Sequence, residues 1–300
     1  MKRRTWFLLC AILLLAAIPS VAHADMGPKP SIDITFTGLE GVPYYVCLLV
    51  QADSEEGYFS ALTLEKALAN DYHSDLTEAE LQLFLQYSDS DGFVPMYDAE
   101  DCSTTQHFNS YRFPPSEFKV LIYFPETGNF VESDQIYSNY AFNSYYRVDA
   151  TRCGLSQSSS GVMNLQLLNG YVYAGRFLSF LVRLAITLAI ELRIAWAFKL
   201  REKRVIRLIV IVNIITQTLL TLTLSLVDFF DGSLASIFLY ILLETIVFVI
   251  EGIIYYLRIN RISEKQFEIG ELWGVAWLSN TASFLVGIFL LIYTSVLLHT

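Results

Sequence analysis

Residues 208–227 read LIVIVNIITQTLLTLTLSLV, and residues 234–257 read LASIFLYILLETIVFVIEGIIYYL. Two such runs lie almost back to back, separated only by Asp228, Asp231 and a few small or aromatic residues. A helix rises ~1.5 Å per residue, so each run covers a hydrocarbon layer of ~30 Å. Outward from this pair, Phe177–Phe198 and Leu272–Leu298 repeat the same composition. The region 173–300 therefore predicts an all-α bundle of four transmembrane helices, at about 177–198, 208–227, 234–257 and 272–298. Thr216, Thr218, Thr221 and Thr223 are tolerated there because a threonine hydroxyl can bond back to a helix carbonyl.

Loop charge sets the orientation. Lys199, Arg201, Lys203, Arg204 and Arg207 follow the first span, and Arg258, Arg261 and Lys265 follow the third. The loop between the second and third spans has no Lys or Arg. Basic loops stay cytoplasmic, which puts residue 172 and the C-terminus outside. The N-terminus agrees. Lys2, Arg3 and Arg4 precede an apolar stretch, Trp6–Ile18, and Ala22-His23-Ala24 is a small-x-small cleavage site. Residues 1–24 thus read as a signal peptide, with a plasma-membrane, multi-pass destination.

Polar residues inside the spans are the candidate site. Glu191 and Arg193 lie in the first, Asn213 and Gln217 in the second, Glu251 in the third and Asn280 in the fourth. Asn213 and Gln217 are one helical turn apart and share a face. Charges at mid-bilayer cost at least ~2.5 kcal/mol on insertion scales, so they turn toward the bundle interior. These six form a predicted intramembrane polar cluster. Arg183 and Glu244 form a second, outer pair. One reading is a site for an ion, a proton or a lipid head group. The other is a set of interhelical pairs that fixes bundle register. Gly252, beside Glu251, would let a neighbouring helix approach closely. No metal or cofactor site is expected. The membrane half has no cysteine and only His299 for histidine, which leaves zinc without ligands. No phosphate loop, His-Glu-x-x-His or Gly-x-Ser-x-Gly motif occurs.

Residues 25–172 are a different material. They carry 21 Asp and Glu against 6 Lys and Arg, a balance of −15. That excludes nucleic acid as a partner and fits a solvated acidic surface. Ile32, Ile34 and Phe36 alternate with polar residues, and Phe118, Val120, Ile122 and Phe124 alternate on one face, which is strand patterning. Tyr44–Val50 and Tyr140–Asp149 add further strands. Thr77 and Glu80 form a capping box ahead of Leu81, Phe84 and Leu85, and Thr63–Ala69 is also helix-prone. The fold class is α+β: a β-rich extracytoplasmic domain over 25–155, a sandwich among its arrangements, with a helical insertion, then the helical bundle. Ser156–Gly161 reads as a flexible linker, placing the linker at 156–172 and predicting that 25–155 folds alone.

Asp89-Ser90-Asp91-Gly92 has the start of a calcium loop but lacks its distal glutamate, so it reads as an Asp-Gly turn. Tyr137, Tyr140, Phe142, Tyr145 and Tyr146 read as core aromatics ahead of a sugar-stacking face. Cys47, in an apolar run, reads as a buried small hydrophobe. Cys102 and Cys153, in polar sequence, are the candidate disulfide.

FKVLIYFPETGNFVES, YAFNSYYRVD, ELRIAWAFKLREK, VNIITQ and ETIVFVIEG, with GPKPS near the N-terminus, resemble a group of exported four-helix membrane proteins of Gram-positive bacteria. The resemblance covers nearly the whole chain after the signal sequence. That group carries no established activity, so the resemblance implies a layout and no functional residue. The expected function is non-enzymatic: an extracytoplasmic sensing or interaction domain on a membrane bundle, with the bilayer and a protein partner or second copy as its contacts. The alternative is a small transporter, channel or transporter accessory subunit using the intramembrane carboxylates.

Overall fold

The computed structural model describes residues 28–51, 76–96, 99–111, 114–163, 166–171 and 173–297. The signal sequence and the Thr63–Ala69 helix lie outside the described residues. The chain divides into a β-rich unit, Pro28–Tyr171, and a helical unit that takes in everything from Val172 onward.

The β unit is built from two sheets. In the first, β1 (Ser31–Thr37) is central. It runs parallel to β9 (Asn143–Asp149) with Ser31 opposite Asn143, and antiparallel to β5 (His107–Tyr111) with Ser31 opposite Tyr111. In the second, β6 (Glu117–Phe124) lies between β2 (Tyr45–Gln51) and β7 (Asn129–Ser133), with β3 (Phe93–Pro95) beyond β2. Two-residue strands β4 (Glu100–Asp101) and β8 (Tyr137–Ser138) pair with β2 and β6.

One apolar core takes residues from both sheets: Ile32, Ile34 and Phe36 from β1, Val148 from β9, and Val120 and Ile122 from β6. β6 does more than alternate. All its residues from Phe118 to Phe124 are buried. Its even-numbered side faces the first sheet, where the Phe118 ring meets Tyr146 edge-on at 5.7 Å. Its odd-numbered side is covered by helix α1 (Glu78–Gln86), whose Phe84 ring stands 5.6 Å from Tyr123. Strands covered on both faces lose the apolar–polar alternation of a half-buried strand. The predicted capping box is present: Thr77 Oγ1 accepts from Glu80 N, and Glu80 Oε2 accepts from Thr77 N at 2.8 Å. Tyr137 and Tyr140 ring Tyr146 at 5.8 and 5.5 Å, so these aromatics build core and not an open stacking face.

Two expectations are corrected in this unit. The segment read as a linker carries strands. After the short helix α2 (Ala150–Cys153), β10 (Gly161–Met163) pairs with β7 and β11 (Leu168–Asn169) pairs with β9. The serine run is held as well: Gln157 O accepts from Thr127 Oγ1 at 2.5 Å and Asn129 Nδ2 at 3.1 Å. Edge strands gain their stability from ladder bonds to a neighbour, so polar composition alone misleads there. Second, no disulfide joins Cys102 and Cys153. Cys102 is buried after β4 beside Tyr44, whereas Cys153 ends α2, which follows β9 of the other sheet. Cys47 is fully buried, as its apolar surroundings predict.

The helical unit consists of α3 (Tyr173–Ala197), α4 (Lys203–Ile262) and α5 (Ile269–Leu297). The 60-residue α4 is two helical segments meeting at Gly232, whose φ of 85° and ψ of 172° are not helical. The expected Asp228–Asp231 loop is therefore a single glycine break, and the helix continues through both aspartates. Such a positive φ suits glycine because no Cβ opposes it. Among the described residues, α4 is the one helix long and apolar enough by composition to cross a membrane. α3 holds Arg183, Glu191 and Arg193 within its apolar stretch.

The basic loops on either side of α4 meet at one end of this unit. Glu202 accepts from Ser263 Oγ at 2.6 Å and from Glu264 N at 3.0 Å, and these hydrogen bonds hold its carboxyl below the usual carboxylate range. Asn260 closes the following turn on both polar groups of Phe267, each at 2.9 Å.

Candidate functional site

Five of the six predicted intramembrane polar residues are buried in the helical unit: Glu191, Asn213, Gln217, Glu251 and Asn280. They come from α3, both segments of α4, and α5. Local helix geometry explains the grouping. Asn213 and Gln217 are four residues apart, as are Glu251 and Tyr255, so each pair projects from one face of its helix.

Two carboxylate groups organise the site. Glu191 Oε2 accepts from Asn213 Nδ2, whose amide also reaches Tyr255 Oη at 3.2 Å and Ile209 O at 3.1 Å. Glu251 accepts from Thr216 Oγ1 at 2.7 Å on one oxygen and from Asn280 Nδ2 at 2.7 Å on the other. Thr216 joins the two halves, since its hydroxyl also lies 3.2 Å from Asn213 O. Three buried oxygens receive no hydrogen bond: Glu191 Oε1, Asn213 Oδ1 and Asn280 Oδ1. All three are acceptors. Buried polar atoms are nearly always paired, so three unpaired oxygens in one network mark it as unusual.

Packing fixes the wall beside Glu251. A Cβ at Gly252 would collide with Trp273 Cζ3, so the indole of α5 occupies the space a side chain would need. The close helix approach expected at Gly252 is present.

Arg193 does not belong to the cluster. It is exposed, two positions from Glu191 and hence ~200° around the helix. The Arg183–Glu244 ion pair is not formed either. Arg183 donates to Thr221 Oγ1, while Glu244 lies beside Tyr240 and Gln217 and feels Arg183 only through space. An ion pair does form between Arg176 and Asp228, which sequence spacing did not suggest. Tyr255 and Thr216 were missed as site residues. The position of Tyr255, one turn after Glu251, is the signal that would have found it.

No family model, curated protein or solved structure matches this chain. The site therefore rests on its own chemistry.

Two polar constellations in the β unit were also tested. Asp89 and Asp91 do not form an open calcium loop. Lys119 Nζ lies 2.6 Å from a carboxylate oxygen of each, with the Asp89 side chain buried. Burial opposes the ammonium charge, but the two carboxylates outweigh it and hold the Lys119 pKa above its ordinary value. The lysine, on the odd-numbered side of β6, fills the position a cation would take. His107 Nε2 stands 3.3 Å from Asp33 Oδ1 across the β1–β5 pair.

Proposed function

We propose that the chain is a non-enzymatic multi-pass membrane protein in which an exported β-rich domain, serving sensing or interaction, is carried by four transmembrane helices. The observation that carries this reading is the inverted patterning of the helical unit. Glu191, Asn213, Gln217, Glu251 and Asn280 are buried, while Leu219, Leu222, Leu226 and Phe230 are 58–66% exposed. In water that arrangement loses on both counts: apolar area stays hydrated and carboxylates are desolvated. In a bilayer it is the expected one. The meeting of both basic loops at one end, bridged by Glu202, supports a common cytoplasmic side. The layout agrees with the resemblance to exported Gram-positive four-helix proteins.

Reporter fusions at Ser158 and Thr300 are expected to read extracytoplasmic, and fusions at Lys203 and Lys265 cytoplasmic. An extracytoplasmic reading at Lys203 would sink the four-pass arrangement. The second reading, a small transporter, channel or accessory subunit, is favoured by the unpaired oxygens around Glu191 and Glu251. Four helices per chain would then call for association of copies, because substrate paths run between repeats.

A further inference from the structure

We propose that the two basic loops at one end of the helical unit form a site for the phosphate of an anionic lipid headgroup. The inference rests on the membrane reading of that unit and goes beyond it by naming a ligand. Residues 198–202 join α3 to α4, and residues 263–268 join α4 to α5. Residues of both loops line a cavity of about 320 Å³: Lys199, Arg201, Glu202 and Lys265. Three cations therefore face one carboxylate. That carboxylate is already committed. Ser263 Oγ and Glu264 N each occupy one of its oxygens, so it ties the loops together. Among the described residues, none of the three cations forms an ion pair.

The backbone holds these cations in place at a cost. Lys199 has a φ of 65°, in the left-handed region. After the last turn of a helix that conformation usually belongs to glycine, because a Cβ is crowded there. Leu200, next in the chain, is buried, and its N donates to Ala195 O at 2.9 Å, which closes the turn around Lys199. A lysine kept where glycine would fit better points to a use for its ammonium. Arg201 is oriented from its other side. Its guanidinium lies 4.0 Å over the Trp196 ring, and its Nε donates to Trp196 O at 3.4 Å. Stacking fixes the guanidinium plane and leaves the fork of terminal nitrogens for an incoming oxyanion.

The class of ligand follows. Phosphate spreads its charge over several oxygens, so it can accept from an arginine fork and from ammonium groups together. Its surroundings place the rest of the molecule. Trp196 is 57% exposed in the last turn of α3, and Ile211, Ile214 and Ile215 are exposed on α4. In a bilayer a tryptophan at a span end sits among the headgroups. An acyl-bearing phosphate meets the cavity and the apolar exterior, whereas free phosphate meets the cavity alone. Lys203, Arg204, Arg207 and Arg258 are exposed near the same loops without lining the cavity, and they add general attraction to an anionic leaflet.

The test is the melting temperature of the full chain in neutral detergent, titrated with phosphatidylglycerol, phosphatidylcholine or inorganic phosphate. Phosphatidylglycerol is expected to raise it saturably by several degrees, as a ligand of the folded state does. Phosphatidylcholine, whose choline cancels the phosphate charge, and inorganic phosphate should leave it nearly unchanged. Lys199→Gly relaxes the backbone while removing the ammonium. It is expected to melt no lower than the native chain without lipid. It should need about fivefold more phosphatidylglycerol for half the effect, the loss typical of one cation near an anionic surface. Lys265→Gln should weaken the effect similarly from the other loop, and Arg207→Gln, outside the cavity, should weaken it less than either. An equal rise with phosphatidylcholine overturns the proposal. So does a phosphatidylglycerol effect that Lys199→Gly and Lys265→Gln leave intact, or one that Arg207→Gln weakens as much as they do. A full rise with inorganic phosphate alone overturns lipid as the source of the anion. No phosphatidylglycerol effect in a chain whose reporter fusions give the four-pass topology removes the headgroup site alone.

Discussion

Asp33 and His107 show how one half-buried pair makes the β unit sensitive to pH. Burial pushes the Asp33 carboxyl up, but hydrogen bonds from His107, Ser31 and Asn109 outweigh it and leave the pKa below its ordinary 3.8. The hydrogen bond to Asp33 raises the His107 imidazole above 6.5, with burial opposing it more weakly. The histidine contribution is therefore complete below about pH 6.5 and is lost as pH rises through the folded-state pKa. The aspartate contribution is complete above pH 3.8 and is lost as pH falls through its depressed value. The pair stabilises most between those limits. His107 is 42% exposed at its side chain, so solvent screening keeps the effect under about 1 kcal/mol. Denaturant melts of the secreted β unit at pH 5.5 and 8.5 should show that loss, and His107→Gln should remove it. An unchanged pH difference in the variant would assign it elsewhere.

Elements at the end of the β unit carry the second prediction. β10 and β11 extend one sheet each, and Leu167 between them is buried in the common core. Leu167 N donates to Tyr137 Oη at 3.1 Å, and Gly170 N to Tyr145 O at 2.8 Å. A fragment ending at Tyr171 is expected to melt cooperatively. One ending at Leu155 strips two edge strands, leaves β7 and β9 without those partners and uncovers Tyr137. It should melt at least ~10 °C lower or not cooperatively, as lost burial and ladder bonds of a few kcal/mol would produce in a domain of this size. Equal melting of both fragments, followed by circular dichroism, would return residues 156–171 to the status of a linker.

At the scale of the whole molecule, the proposed membrane placement would give the two units different solvents. The helical unit presents Leu219 at 61% exposure, and the β unit presents Ile136 at 52%. The same substitution should have different consequences at the two. Leu219→Arg puts a charge against hydrocarbon and is expected to cost ~2.5–3.5 kcal/mol of insertion free energy, read as lower abundance in the membrane fraction. Ile136→Arg meets water and should stay within about ±0.5 kcal/mol. Matched tolerance of both changes would argue that the helical unit is not lipid-facing.

The apolar runs, the strand alternation of β1, the capping box at Thr77 and the polar positions of α4 and α5 were legible in the chain because each follows a local period. Burial of Glu191, Asn213, Gln217, Glu251 and Asn280 followed from one rule, that charge and amide avoid an apolar exterior. What tertiary structure decided is what period cannot carry. Arg193 and Glu191 have the same spacing signal of charge in an apolar run, yet two residues of helix rotation separate a buried group from an exposed one. Lys119 owes its ion pairs to the Asp89–Asp91 loop, which precedes it by about 30 residues. β10 and β11 lie in polar sequence and owe their order to ladders with β7 and β9, partners about 30 and 20 residues earlier. Sequence sets which faces are apolar; only packing sets which atoms meet, because hydrogen bonds and close contacts depend on distances between elements remote along the chain.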